Sequence, residues 1–147
     1  MKRILLACTA LFLGLAMTAQ TKADSVMKVN TEKYDFGKIK QGVPVATYFE
    51  LKNTTDKALV VENTYGSCGC TTPEKIEKPI QPGETVKLKV NYNAAALGVF
   101  NKDVYIKIAG IETPKDVKIT GETLDAAAYD VYVKTQQAEK TKTKPKG

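Results

Sequence analysis

Two cysteines, Cys68 and Cys70, stand one residue apart in the stretch YGSCGCTTP, Tyr65 to Pro73. Three chemistries suit that spacing. The first is a disulfide across one residue. The Cα atoms of such a pair can come within the usual range of about 4.4–6.8 Å, and Gly69, with no Cβ, permits the bend. The small ring is expected to be strained, and strain makes a disulfide easier to reduce. Exposed, it could serve thiol exchange, one cysteine attacking and the other resolving. That role needs a stabilised thiolate, and Lys75 is the nearest cation in sequence. The second chemistry is metal binding. Two thiolates suit Cu(I), whereas zinc would require two more ligands, from Asp or Glu or from another chain. The third is a packed turn, with Gly66 and Gly69 allowing positive φ, Pro73 stiffening the exit and Thr71 completing the motif. All three stay open at this level, with the turn favoured.

The rest of the chain removes other chemistries. It contains no histidine, so no Ser-His-Asp or Cys-His nucleophile can form, nor a histidine zinc site or haem-attachment motif. Its glycines occur singly, which excludes a phosphate-cradling loop. Ser25 and Lys28 match a short Ser-x-x-Lys pattern by coincidence. Glu74 and Glu77 interleave with Lys75 and Lys78 and read as a solvated loop face. Two modification signals are present: Asp24-Ser25-Val26 resembles an O-glycan acceptor of some exported bacterial proteins, and Asn53 opens an N-glycan sequon.

The ends of the chain bear on its destination. A basic start is followed by the apolar run ILLACTALFLGLAM and by small residues. This reads as a signal peptide over residues 1–23, with cleavage after Ala19 or Ala23. Cys8 lies inside the apolar run, not at its end, which argues against a lipoprotein acceptor. No segment reaches the roughly 20 apolar residues of a membrane span. Removal of the leader leaves Cys68 and Cys70 as the sole thiol pair and Met27 as the sole methionine, in a compartment where disulfides persist. The formal charge of +6 comes from the two ends. Between them the charges balance, which offers no electrostatic footprint for nucleic acid. The lysine- and threonine-rich close of the chain reads as disordered.

Between the ends the pattern has period two. Val45, Thr47, Phe49 and Leu51 share one face of a strand; Val86, Leu88, Val90 and Tyr92 share another; Val104, Ile106 and Ile108 are in phase, as are Val117 and Ile119. Asn53 and Asp56 mark one turn and Pro82-Gly83 another. Six or seven short strands at this spacing predict an all-β, immunoglobulin-like β-sandwich over residues 24–124, with residues 125–147 as a C-terminal extension. LDAAAYDVYVKTQQAEK supports helix at its alanines and strand at YDVYV.

The segments YDFGKIKQG, ATYFELKNTTDKAL, SCGCTTP, IQPGETVKLKV and GVFNKDVYIKI…VKITGE follow one another in that order. In this the chain resembles the bacterial domain-of-unknown-function family 1573, from about Tyr34 to Glu122. The resemblance implies a Hydin-type or major-sperm-protein-like immunoglobulin fold and an exported bacterial protein, with no general activity. The expectation is a non-enzymatic binding or structural module of the periplasm or cell surface. Its partner would be an unknown protein or envelope component; an exposed edge strand could accept another chain by strand addition, with no sequence feature to name the strand, and no cofactor is called for. Redox exchange or soft-metal handling at Cys68 and Cys70 is the rival.

Overall fold

A computed structural model describes residues 22–142. The leader expected over residues 1–23 lies outside this range except for Lys22 and Ala23, as do Cys8 and the last five residues. A single helical turn, α1 (Ala23–Val26), leads into eight strands: β1 (Met27–Val29), β2 (Lys33–Lys40), β3 (Val45–Asn53), β4 (Val61–Gly66), β5 (Thr71–Pro73), β6 (Thr85–Tyr92), β7 (Gly98–Ile108) and β8 (Lys115–Leu124). A helix, α2 (Ala126–Lys142), follows. The expected all-β sandwich is present. The short strands β1 and β5, three residues each, escape a periodicity reading because three residues hold no period.

The strands form two four-stranded sheets, ordered β1-β3-β6-β5 and β2-β8-β7-β4. Every pairing is antiparallel except β2 with β8. The in-phase residues meet between the sheets: Phe49, Leu51, Leu88, Val90 and Tyr92 face Phe100, Val104, Ile106, Ile108, Val117 and Ile119, all buried. The Tyr92 and Phe100 rings stack at 4.2 Å across this interior. Alternation works because one register puts every apolar side chain of a strand inward.

The sheet edges are blunted. β1 and β5 are too short to template another chain, and β5 contains Pro73. The β2 register shifts between Asp35 and Lys38, where Gly37 takes φ +65°, and Lys33, Lys38 and Lys40 line that edge. The β4 register shifts between Val61 and Asn63. Bulges and lysines oppose edge-to-edge pairing, which bears on the strand addition that the sequence leaves open.

α2 resolves the ambiguous segment as helix and takes in Glu139–Lys142, where the loose tail was expected to start. It rests on the outside of β2: Asp130 pairs with Lys40 at 3.6 Å and Lys38 lies 5.2 Å from the Tyr132 ring centre.

Candidate functional site

The Cys-Gly-Cys turn crosses between the sheets. β4 ends at Gly66 in one sheet and β5 starts at Thr71 in the other, so Ser67 to Cys70 carry the chain across. Both sides are tied down by hydrogen bonds. The Ser67 amide donates to the Asp103 carbonyl at 2.8 Å, and the Asp103 amide donates to the Ser67 hydroxyl at 3.1 Å. The Thr71 amide donates to the Cys68 carbonyl at 3.1 Å, and the Asn93 amide to the Cys70 carbonyl at 3.1 Å.

The glycines act otherwise than expected. Neither Gly66 nor Gly69 has positive φ; that conformation is taken by Gly37, Gly42, Gly83, Gly98 and Gly110. Gly66 is needed for close approach, because a Cβ there would lie 2.3 Å from the Thr71 carbonyl oxygen. A Cβ on Gly69 would meet nothing within 4 Å. A methyl group at position 69 would therefore fit without displacing any other part of the chain.

Cys68 and Cys70 are joined as a disulfide with Cα atoms 5.3 Å apart. Both are half-buried. They differ in surroundings: Cys70 packs against the buried core, and Cys68 is not among the residues packed there. The Thr71 hydroxyl, on a buried residue, lies 3.8 Å from each sulfur. Closing a three-residue loop gains little chain entropy, about 1.6 kcal/mol against roughly 3 for a 15-residue loop. With the turn already tied by backbone bonds, the disulfide is a weak staple. Lys75 lines a cavity with Asn63 and Glu77 beside β4, and Glu74 pairs with Lys89 at 3.1 Å. The hydrogen bond that the Lys89 ammonium donates to that carboxylate, with the carboxylate's charge, raises the Lys89 pKa.

The neighbouring end of the sandwich is apolar. Asn93, which holds Cys70, is followed by Ala94, whose carbonyl accepts from the Gly42 amide at 2.9 Å. Gln41 donates through Nε2 to the Ala95 carbonyl at 2.9 Å. These bonds bring the β2–β3 turn and the β6–β7 connection together. Val43 on the first and Leu97 on the second are 50% and 55% exposed, and Val99, opening β7, is 84% exposed. Single exposed aliphatics are ordinary, so nothing in the sequence marks these residues; the fold ties the turn of Val43 to the connection of Leu97.

The other end holds the modification signals. Ser25 is exposed in α1, its hydroxyl donating to the Lys22 carbonyl at 2.7 Å. Its neighbour Asp24 accepts from Lys115 at 2.5 Å, and Glu32 accepts from the same ammonium at 2.7 Å. The Lys115 side chain is only 6% exposed. Burial pulls its pKa down, but the hydrogen bonds to Asp24 and Glu32 outweigh this and hold it above the usual lysine value. Asn53 is fully buried, its Nδ2 donating to the Lys57 and Ile80 carbonyls at 2.7 and 2.9 Å. A folded chain therefore does not present the Asn53 sequon. Among the described residues, no group of three or more Cys, Asp or Glu is arranged to hold a metal ion, and no helix is long and apolar enough to cross a membrane.

A family model described as a protein of unknown function (DUF1573) matches residues 27–123. No curated protein gives a match. Among solved structures, a protein of unknown function from Porphyromonas gingivalis W83 is similar with a TM-score of 0.56 at 17% identity, covering 73% of this chain. This chain spans 50% of that one. PapD-like domain 7 of human CEP192 is similar at 0.53 and 12% identity, covering 84% of this chain and 99% of its own. The VesB protease of Vibrio cholerae reaches 0.57 at 16% identity, over 69% of this chain and 33% of its own. Identities this low show the shared immunoglobulin-like fold alone.

Proposed function

The chain belongs to the DUF1573 family of proteins of unknown function, and on that premise we propose that it is an exported, non-enzymatic binding module of the bacterial envelope. One observation carries this reading. Val43, Leu97 and Val99 stand exposed at one end of the sandwich, on a turn and a connection that hydrogen bonds hold together. An aliphatic end on a domain whose sheet edges are blunted favours docking through that end. The basic, apolar N-terminal stretch supports export, and Ala23, 3% exposed in the core, favours cleavage after Ala19 over cleavage after Ala23. Ser25 remains the position for an O-linked glycan; an intact mass equal to the polypeptide mass removes that assignment.

Affinity capture from the native envelope tests the docking reading. Wild type is expected to retain a discrete protein or envelope component that the Val43→Glu/Leu97→Glu variant loses. Equal capture by both would contradict it.

A second reading, thiol–disulfide exchange, is favoured by the joined, half-buried Cys68–Cys70 pair. Soft-metal binding would first require that bond to be reduced, because a disulfide has no thiolate to offer.

A further inference from the structure

We infer that the apolar end and the disulfide form one site, and that its partner is a protein bearing a thiol pair which Cys68–Cys70 oxidises, with Cys68 the sulfur attacked. The inference rests on the proposed docking end and on the exchange reading. Consecutive residues join the two features: the Asn93 amide holds the Cys70 carbonyl, and the Ala94 carbonyl holds the Gly42 amide beside Val43. A protein seated on Val43, Leu97 and Val99 is thereby brought beside the Cys-Gly-Cys turn.

The asymmetry of the pair sets the direction. Cys70 lies against the core and Cys68 does not, so an incoming thiolate meets less protein at Cys68. It attacks Cys68 Sγ, forming a mixed disulfide. The Sγ–Sγ bond breaks and its electron pair leaves on Cys70 Sγ, which becomes a thiolate. The Thr71 hydroxyl, 3.8 Å from that sulfur, turns its hydrogen toward the new charge; donation to a thiolate favours the charged form and a better leaving group. The partner's second thiolate then attacks its own sulfur in the mixed disulfide. A disulfide forms in the partner, Cys68 is released as thiolate, and the two partner protons end, through solvent, on the two cysteines. Two electrons have moved from the partner dithiol to the Cys68–Cys70 pair.

The turn tolerates this change. Its hydrogen bonds from Ser67, Thr71 and Asn93 use backbone groups and the Ser67 hydroxyl, none of which is altered when the sulfurs part. Cys68 is only half-buried, which leaves part of its surface open to the attacking group.

The test uses the full mature protein and reduced glutathione as probe. The reaction is quenched with an alkylating agent and peptides are mapped. The expected result is glutathione on Cys68 and the alkyl group on Cys70. Glutathione chiefly on Cys70 overturns the direction while leaving exchange intact. No mixed disulfide, where an unfolded peptide of the same turn reacts, overturns exchange altogether. Free Cys68 in Cys70→Ser should react with an aromatic disulfide on the order of tenfold faster than free Cys70 in Cys68→Ser; equal rates count against the asymmetry. Thr71→Val should slow reduction and shift its pH profile upward at an unchanged unfolding midpoint, and an unchanged profile removes Thr71 from the step. Val43→Glu/Leu97→Glu should oxidise a captured dithiol partner more slowly than wild type. If it still oxidises a captured dithiol partner at the wild-type rate, the apolar end is no part of the site.

Discussion

Asn53 shows how one side chain can hold two connections. Its amide donates to the Lys57 and Ile80 carbonyls, and its Oδ1 accepts from the Thr55 amide and hydroxyl, both at 2.8 Å. Asn53→Ala would remove one of two donors from each carbonyl, the Leu59 amide staying on Ile80 and the Thr55 hydroxyl on Lys57, and unfolding by urea should show a loss of about 1–2 kcal/mol; a change below half of that would mean water replaces the amide. The glycines of the Cys-Gly-Cys turn make a sharper pair. Gly66→Ala drives a methyl into the Thr71 carbonyl and should lower the unfolding midpoint markedly. Gly69→Ala meets open space and should stay within about 0.5 kcal/mol of wild type. From sequence, Asn53 was readable as a turn former, since that bonding is local. Its link to Ile80 was not, being 27 residues away. The two glycines looked equivalent because composition shows where a side chain is missing, and not what would meet it.

At the scale of elements, α1 is pinned by charge. Asp24 on α1 and Glu32 before β2 converge on Lys115 at the start of β8. In sequence Lys115 is one cation among many, and its partners lie 91 and 83 residues away, so nothing local marks it. Burial lowers the folded pKa of Lys115, but the hydrogen bonds to Asp24 and Glu32 outweigh it and hold the pKa above the ordinary lysine value. Its contribution is therefore complete below that value and disappears as pH rises through the folded pKa. Alkaline unfolding curves should show this loss in wild type and not in Asp24→Asn/Glu32→Gln. That double variant should also lose about 2 kcal/mol at neutral pH, because it strands a buried ammonium. Lys115→Met should cost less, since both carboxylates are mostly exposed and can be hydrated. α2 differs: it packs on the outside of β2 and β8, with Asp130 paired to Lys40 and Tyr132 beneath Lys38. A chain ending at Asp125 should fold with nearly the same midpoint; failure to fold would show that α2 belongs to the domain's core.

At the scale of the molecule, the period-two pattern of β3, β6, β7 and β8 was enough for the sandwich, because a half-buried strand must alternate. It was not enough for the sheet order or for the parallel β2–β8 pairing, which depend on where connections cross. The same limit hid the aliphatic end: the turn that carries Val43 is held to the β6–β7 connection that leads to Leu97 and Val99 by hydrogen bonds between residues some 50 positions apart. The Cys-Gly-Cys turn, conspicuous in sequence, gains its meaning from sitting beside that end. A photo-cross-linking side chain placed at Leu97 in the native envelope tests the docking claim most directly, with the same probe at Tyr48 on β3, also exposed, as control. The account predicts one discrete cross-linked species from position 97, abolished by Val43→Glu and absent from position 48. Equal or diffuse cross-linking from both positions, or none from position 97 while the protein is folded and exported, would contradict it.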